Sequence, residues 1–252
     1  MSDGHFYNCQ NKPYLTTART PAQARKLKAY PSCTTILKIQ KNNFLDNIWI
    51  PRQLVYLARE HLAASVEEIQ DMKFGYRICP KTKEKIRSNI FGTRVHARLE
   101  QVINAKITGD KLEQAVDDYD EWVKPFILFI NKEKIEPISC EEIVYCDKSR
   151  SAGSVDFIGK WKDKIHLFDY KCRDTKGTGG KFYEEKDCSQ LAIECKWVKQ
   201  IYDLDYMPMA TSVCICTESK KHYHKHWNKA QLRKGVTRFN YLNKIYRMDW
   251  MK

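Results

Sequence analysis

The sequence predicts an α/β domain with a mixed central sheet flanked by helices, and three observations support this. The first third carries apolar residues at helical spacing. The middle contains three short strand candidates separated by turns. The last third places a helix, a further strand pair and an amphipathic helix in succession. Strands enclosed in this way between helices are typical of an α/β fold.

The N-terminal region is basic. Residues 4–45 contain seven Lys or Arg and no Asp or Glu. Such a composition suits an organellar presequence, but "YPSCTTILKIQ" resembles the start of folded structure, since Ser32 or Thr34 can cap a helix that runs to about Gln40. We therefore expect a basic arm over residues 1–29 rather than a presequence.

Two longer helices follow in the predicted order. Pro51 suits the first turn of a helix that contains "RQLVYLAREHLAASVEEIQ", and a loop is expected at "KFGYRICPKTKEK". The next segment, "NIFGTRVHARLEQVINAK", has a helical stripe made of Phe91, Val95, Leu99 and Val102. These segments predict two helices before the sheet.

The middle of the chain changes from helical to strand periodicity. The strand candidates are "EEIVYC", "AGSVDFIGKW" and "KIHLFDYKC", and a Gly-rich loop, "DTKGTGGKF", comes next. A helix on "SQLAIECKWVKQIYD", a strand on "MATSVCIC", a turn into "HYHKH" and an amphipathic helix on "QLRKGVTRFNYLNKIYRM" complete the prediction.

Two carboxylates and an amine mark the neighbouring strand candidates. Asp169 and Lys171 stand at i and i+2, so their side chains share one face of a strand. Asp156 lies on the preceding strand, which antiparallel pairing could bring close. Two adjacent carboxylates repel unless a cation lies between them, and Mg²⁺ prefers oxygen ligands. A surface ion pair at a strand end is the simpler alternative.

Two helices carry polar pairs at i and i+4. His96 and Glu100 share a face of the central helix beside its apolar stripe, so both could point toward the sheet. Gln190 and Glu194 share a face of the helix after the Gly-rich loop. We expect Glu194 to face solvent, as most glutamates do, although it could instead add a carboxylate near the site.

The order of these motifs resembles the RecB-like branch of the PD-(D/E)XK nuclease superfamily, including the mitochondrial genome maintenance exonuclease and phage relatives. The motifs are "GTRVHARLE", "GSVD", "DYK" and a helix that opens with Gln190, and the similarity spans most of residues 30–248. The sequence departs from the family at Glu194, where the family usually has Tyr.

The resemblance implies a restriction-endonuclease-like core and a division of the chain. Residues 30–252 would form one nuclease domain, with helical additions over 30–88 and a catalytic core over 89–252. It also implies metal-dependent DNA hydrolysis in replication, recombination or repair, with an exonuclease acting on DNA ends and preferring single strands. A structure-specific endonuclease and a non-catalytic nucleic-acid-binding protein remain alternatives.

The resemblance also assigns roles to residues. Mg²⁺ or Mn²⁺ would be held by Asp156, Asp169, the backbone carbonyl of Tyr170, His96 and Glu100. Asp156, Asp169 and Glu100 would thereby take part in catalysis, and Lys171 would orient the attacking water or stabilise the charge that develops on the phosphate.

The charge of the chain favours a polyanionic partner, since its formal net charge is +13. Residues 73–98 carry eight Lys or Arg against one Glu, and residues 218–252 carry ten against two Asp or Glu. We expect DNA, single-stranded or with free ends, to contact Gln190, Lys181, Lys176, Arg77, Lys81, Lys83, Lys85 and Arg87.

The ten cysteines and the absence of an apolar signal at "MSDGHFYNCQ" indicate reduced thiols in an intracellular compartment. We expect the cytoplasm, including that of a phage-infected cell, in preference to the mitochondrion. No apolar run approaches the roughly 20 residues of a membrane-spanning helix. A zinc site is conceivable at "CICTESKKHYHKH", but standard zinc spacings are absent. The cysteine spacing does not fit the iron–sulfur cluster of some relatives.

Overall fold

A computed structural model of the chain describes residues 5–10, 12–38, 76–110, 117–175 and 179–250, with side chains to residue 248. The helix predicted to begin at Pro51 and the predicted DNA contact Lys176 lie outside the described residues.

A five-stranded mixed sheet forms the centre of the described structure. Its spatial order is β10-β9-β8-β7-β6, in which β8 and β9 are parallel and all other neighbours are antiparallel. This architecture confirms the predicted α/β class and is consistent with a restriction-endonuclease-like core. The strands are β6 (Glu136–Cys146), β7 (Ser151–Trp161), β8 (Lys164–Arg173), β9 (Met209–Cys216) and β10 (His222–Trp227).

Helices cover both faces of this sheet. Side chains alternate between the faces along each strand, so neighbouring residues of one strand pack against different helices. On one face, Leu167 packs with apolar side chains of α2, α5 and α6. On the other face, Phe168 packs with side chains of α3 and α4. The α-helices of the described structure are α1 (Pro21–Lys26), α2 (Cys33–Leu37), α3 (Ser88–Thr108), α4 (Asp120–Lys132), α5 (Ser189–Ile201) and α6 (Lys229–Trp250), and a π-helical turn, Glu184–Cys188, leads into α5.

The described part of the predicted N-terminal arm is folded. Strands β1 (Phe6–Asn8), β2 (Tyr14–Leu15) and β3 (Tyr30–Pro31) form a small antiparallel sheet. Tyr7 and Cys9 are buried with Ala152 of β7, so this small sheet packs on the central one.

A two-stranded hairpin stands where the sequence predicted a loop. Its strands are β4 (Tyr76–Ile78) and β5 (Lys85–Arg87), and β5 leads directly into α3. The prediction was wrong because three-residue strands are too short to show a period. None of the described helices has the length and apolar character required to cross a bilayer.

A row of histidines joins the edge strand β10 to α4. His222, His224 and His226 alternate along β10 and share one face. The Nε2–H of His222 donates to the carbonyl of Trp122 over 2.7 Å, and the His224 ring lies 4.0 Å from that of Phe129. Burial lowers the pKa of both His222 and His224 to about 4, so both pack as neutral rings at neutral pH.

The contact between α5 and α6 depends on Gly235. A Cβ added at Gly235 would lie 2.7 Å from the Cβ of Ala192 and 3.1 Å from the carbonyl oxygen of Cys188. Those atoms are rigid, so Gly235→Ala should push the helices apart and lower the free energy of unfolding by about 1–3 kcal/mol. Gly92→Ala in α3 is the matched control, since its new Cβ would meet Cys172 at an ordinary 3.6 Å.

Urea unfolding of both variants tests this difference. Gly92→Ala should stabilise the protein by about 0.5–1 kcal/mol, the usual gain of alanine over glycine in a helix. Equal stability changes in the two variants would contradict the proposed close contact.

Because His222 is buried in its neutral form, we expect the stability of the protein to depend on pH. In the unfolded chain histidine has a pKa of about 6.5, so the unfolded state binds more protons than the folded state once the pH falls below that value. The wild type should therefore lose stability between pH 6.5 and 4. His222→Gln keeps an N–H donor for Trp122 but cannot titrate there.

The variant should lose less stability than the wild type over this interval, by at most about 1.4 kcal/mol per pH unit. Urea midpoints at a series of pH values measure the two slopes. Identical slopes would show that His222 does not titrate on unfolding.

Candidate metal centre and acidic site

The opening between β7 and β8 places Asp156 at the centre of the candidate site. The pairing of these strands runs from Trp161 opposite Lys164 to Phe157 opposite Phe168, one residue short of Asp156. At this point the side chain of Asp156 takes the place of a backbone carbonyl in the pairing of the two strands. Its Oδ2 accepts a hydrogen bond from the backbone N–H of Tyr170 over 2.7 Å. The side chain is thus fixed by the strand that it faces.

Asp169 and Lys171 form an ion pair on β8, since Lys171 Nζ donates to Asp169 Oδ1 over 2.5 Å. The Asp169 side chain is 2% exposed and that of Lys171 30% exposed, so the lysine lies at the mouth of the site. Burial raises the pKa of Asp169, even though Lys171 opposes the shift. Burial alone would lower the pKa of Lys171, but Asp169 and Asp156 outweigh it and raise that pKa.

Three potential metal ligands converge beside this pair. Ligand atoms of His96, Glu141 and Asp156 all lie within 4.8 Å of one another, and His96 Nδ1 is 3.8 Å from Asp156 Oδ2. Burial lowers the pKa of His96, although Asp156 and the Tyr170 backbone oppose the shift. Its imidazole is therefore neutral at neutral pH, which is the form that binds metals.

Glu141 is the site residue that the sequence analysis missed. Cys140 stands opposite Phe157 and Glu142 opposite Val155, so Glu141 lies between them beside Asp156. Its φ is 51°, a left-handed conformation that costs a non-glycine residue about 1–3 kcal/mol. Ser154 Oγ donates to Glu141 Oε2 over 2.7 Å. Burial, reinforced by Asp156, raises the pKa of Glu141 to about 7.

The adjacent "EE" pair was the available sequence signal, because it lies on the strand next to "GSVD". Strand alternation predicts that only one of two adjacent glutamates can face the site. The hydroxyl of Tyr202 donates a hydrogen bond to Glu142 Oε2 over 2.7 Å, so the carboxylate of Glu142 is bonded to a residue other than the three candidate ligands.

Glu100 lies one helical turn beyond His96 on α3. Its charge helps to raise the pKa values of Cys140 and Glu141, so it is near the site. It does not belong to the group of three ligand atoms formed by His96, Glu141 and Asp156. Its predicted ligand role, like those of Asp169 and the Tyr170 carbonyl, stays a prediction.

Glu194 is buried, so the expectation that it faces solvent was wrong. It is 1% exposed, because α5 is enclosed by α2, α6 and the sheet. Cys33 Sγ donates to Glu194 Oε1 over 3.4 Å, and Gln190 Nε2 donates to the same oxygen over 3.2 Å. Burial, reinforced by Asp169 and Asp156, raises the pKa of Glu194 well above its usual range. Glu194 therefore lies buried near enough to Asp169 and Asp156 for their charges to act on it.

The predicted DNA contacts occupy different surroundings. Gln190 is 9% exposed and is bonded to Glu194. Arg77 donates to Thr217 over 3.0 Å and lies 3.5 Å from Asp174. The remaining described cations of this set are exposed: Lys81, Lys83, Lys85, Arg87 and Lys181.

The zinc alternative does not fit the described structure. His222 pairs with Ile215, whereas Cys214 pairs with Tyr223, so the histidine row and Cys214 with Cys216 lie on opposite faces of the sheet. Among the described residues, only His96, Glu141 and Asp156 form a group of three possible ligands.

The acidic site fits a hard divalent cation. Asp169 Oδ2 is buried and has no hydrogen-bond partner among the described residues. An unpaired buried carboxylate oxygen is costly unless a cation neutralises it. Carboxylate oxygens with one neutral imidazole suit Mg²⁺ or Mn²⁺.

We expect Glu141→Gln to weaken Mn²⁺ binding by about tenfold or more, since the variant removes a charge beside the cation. Glu142→Gln is the matched control one residue away and should bind Mn²⁺ like the wild type, because Glu142 bonds to Tyr202. Isothermal titration with Mn²⁺ measures both affinities. Equal losses in the two variants would remove Glu141 from the metal centre.

No protein-family model matches the sequence, and no curated protein matches it either. Solved structures with some similarity include a "Putative exonuclease" from Eubacterium rectale, at 10% identity and a TM-score of 0.41, covering 69% of this chain and 68% of that one. An alkaline exonuclease from Laribacter hongkongensis has 11% identity and a TM-score of 0.35, covering 62% of this chain and 80% of that one.

Proposed function

We propose that this protein is a metal-dependent nuclease that hydrolyses phosphodiester bonds in DNA. The observation that carries the proposal is the convergence of Asp156, His96 and Glu141 beside the buried Asp169–Lys171 pair. A site with several carboxylates, a neutral imidazole and a lysine has the groups needed to bind a cation and a phosphate together.

Within this proposal, Asp156, His96 and Glu141 hold Mg²⁺ or Mn²⁺, and Asp169 contributes through its unpaired oxygen. The bound cation supplies Lewis acidity and lowers the pKa of a water molecule. Glu100, one turn further along α3, would ligate the cation directly or through water.

Lys171 supplies the positively charged side chain that acts on the phosphate in this proposal. Asp169 and Asp156 keep its amine protonated, and its position at the mouth of the site leaves it accessible to a phosphate. A fixed ammonium placed where negative charge develops stabilises the transition state, because little reorganisation is required.

The finer proposal is an exonuclease that acts on DNA ends, prefers single strands and serves replication, recombination or repair. It is supported by the family resemblance of the motifs and by the net charge of +13. The exposed cations Lys81, Lys83, Lys85, Arg87 and Lys181 would contact the backbone, as would Lys176.

Asp169→Ala and Lys171→Ala should each abolish cleavage of labelled DNA in Mg²⁺ or Mn²⁺, because one removes the buried anion and the other the cation. DNA binding should survive, because most of the basic surface is unchanged. Lys164→Ala is the matched control on the same strand and should cleave like the wild type, since Lys164 is exposed and lies over Tyr206.

End-labelled single- and double-stranded DNA, with and without EDTA, provides the measurement. Full activity in either site variant would refute the mechanism. Binding without cleavage in the wild type would favour the non-catalytic alternative, and cleavage of circular DNA would favour an endonuclease.

A further inference from the structure

We propose that the outward face of the β4–β5 hairpin is a stacking platform for single-stranded nucleic acid at the edge of the acidic site. This inference rests on the proposed function and refines it, because it separates the residues that touch the strand from those that hold the hairpin. The platform consists of Tyr76, Ile78, Lys85 and Arg87.

The strand register places these four side chains on one face. Tyr76 pairs with Arg87 and Ile78 with Lys85, and directly paired residues of an antiparallel ribbon point the same way. All four are exposed, with Tyr76 at 39% and Ile78 at 55%. An exposed aromatic and an exposed aliphatic residue thus lie directly beside two cations.

The opposite face of the hairpin anchors it to the body. Arg77, which alternates with Tyr76 and Ile78, donates to Thr217 over 3.0 Å and lies 3.5 Å from Asp174. Its cross-strand partner Ile86 packs against the core below α3 and α4. Arg77 is therefore an anchor of the hairpin, which leaves the nucleic-acid contact to the other face.

These anchors place the platform next to the site. Thr217 also donates its N–H to the carbonyl of Arg173 over 3.1 Å, two residues beyond Lys171. At the other end, β5 runs straight into α3, and His96 lies about 12 Å along that helix from Ser88. The hairpin that carries the platform is thus attached to both β8 and α3, the two elements that supply Lys171 and His96.

The turn of the hairpin is fixed as well. Cys79 N–H donates to the carbonyl of Glu84 over 2.8 Å, and Arg94 of α3 donates to Cys79 Sγ over 3.1 Å. A platform held from two sides loses little conformational entropy when a ligand binds.

The chemistry of the four residues selects the ligand. Bases of any sequence stack on an aromatic ring, while cations beside it follow the phosphates. A blunt duplex keeps its bases stacked on one another and offers none to Tyr76. The platform therefore favours single strands independently of sequence.

Binding of a labelled oligothymidylate in EDTA, followed by fluorescence anisotropy, tests the platform apart from cleavage. Tyr76→Ala should weaken single-strand binding by about 5- to 150-fold, the contribution of one stacked base, and leave blunt-duplex binding unchanged. Tyr76→Phe should restore the affinity. Tyr14→Ala is the control, since Tyr14 is 55% exposed on the separate sheet of β1 to β3.

The cations have their own readout. Affinity for a single strand falls as salt rises, and Lys85→Gln should make the plot of log affinity against log salt less steep by about 0.7, because one fewer phosphate is neutralised. An unchanged affinity in Tyr76→Ala, or an equal loss for single strands and blunt duplex, would overturn the platform.

These outcomes separate the platform from the nuclease proposal. If the wild type cleaves DNA and Tyr76→Ala binds single strands equally well, only the platform is refuted. If the wild type neither cleaves DNA nor binds single strands, both proposals fall.

Discussion

The ion pair between Asp169 and Lys171 is the interaction on which the candidate site depends. A carboxylate that is 2% exposed is costly in a protein interior, and the neighbouring ammonium offsets only one of its two oxygens. The second oxygen stays unpaired among the described residues. Strand β8 therefore carries a local cost in the free protein, and a cation or a phosphate-bound cation would relieve it.

The sheet brings this pair together with groups from both helical layers. His96 belongs to α3 on one face, whereas Glu194 belongs to α5 on the other, and both interact electrostatically with Asp156. They can do so because the pairing of β7 and β8 ends at Phe157, which leaves an opening in the sheet. The Asp156 carboxylate then bonds to the Tyr170 N–H and keeps this opening in a defined geometry.

Much of this arrangement follows from simple periodicity. The alternation of strand side chains predicts that Asp169 and Lys171 share a face, and the pairing of neighbouring strands brings Asp156 near them. Glu141 escapes such reasoning because its left-handed backbone breaks the regular strand geometry. Glu194 escapes it because the apolar stripe of α5 predicts one buried side, whereas the helix is enclosed on several. Burial of that kind depends on tertiary packing, which a helical stripe does not contain.

The folding of the N-terminal segment onto the sheet has a consequence for how the protein can be divided. Ser32 pairs with Ala152 in a parallel bridge, and the thiol of Cys33 reaches Glu194. A fragment that begins after Cys33 would leave the buried carboxyl of Glu194 with only one of its two hydrogen-bond donors. It would also leave Ala152 of β7 without its bridge partner Ser32. The segment that carries Ser32 and Cys33 therefore helps to complete the surroundings of the acidic centre.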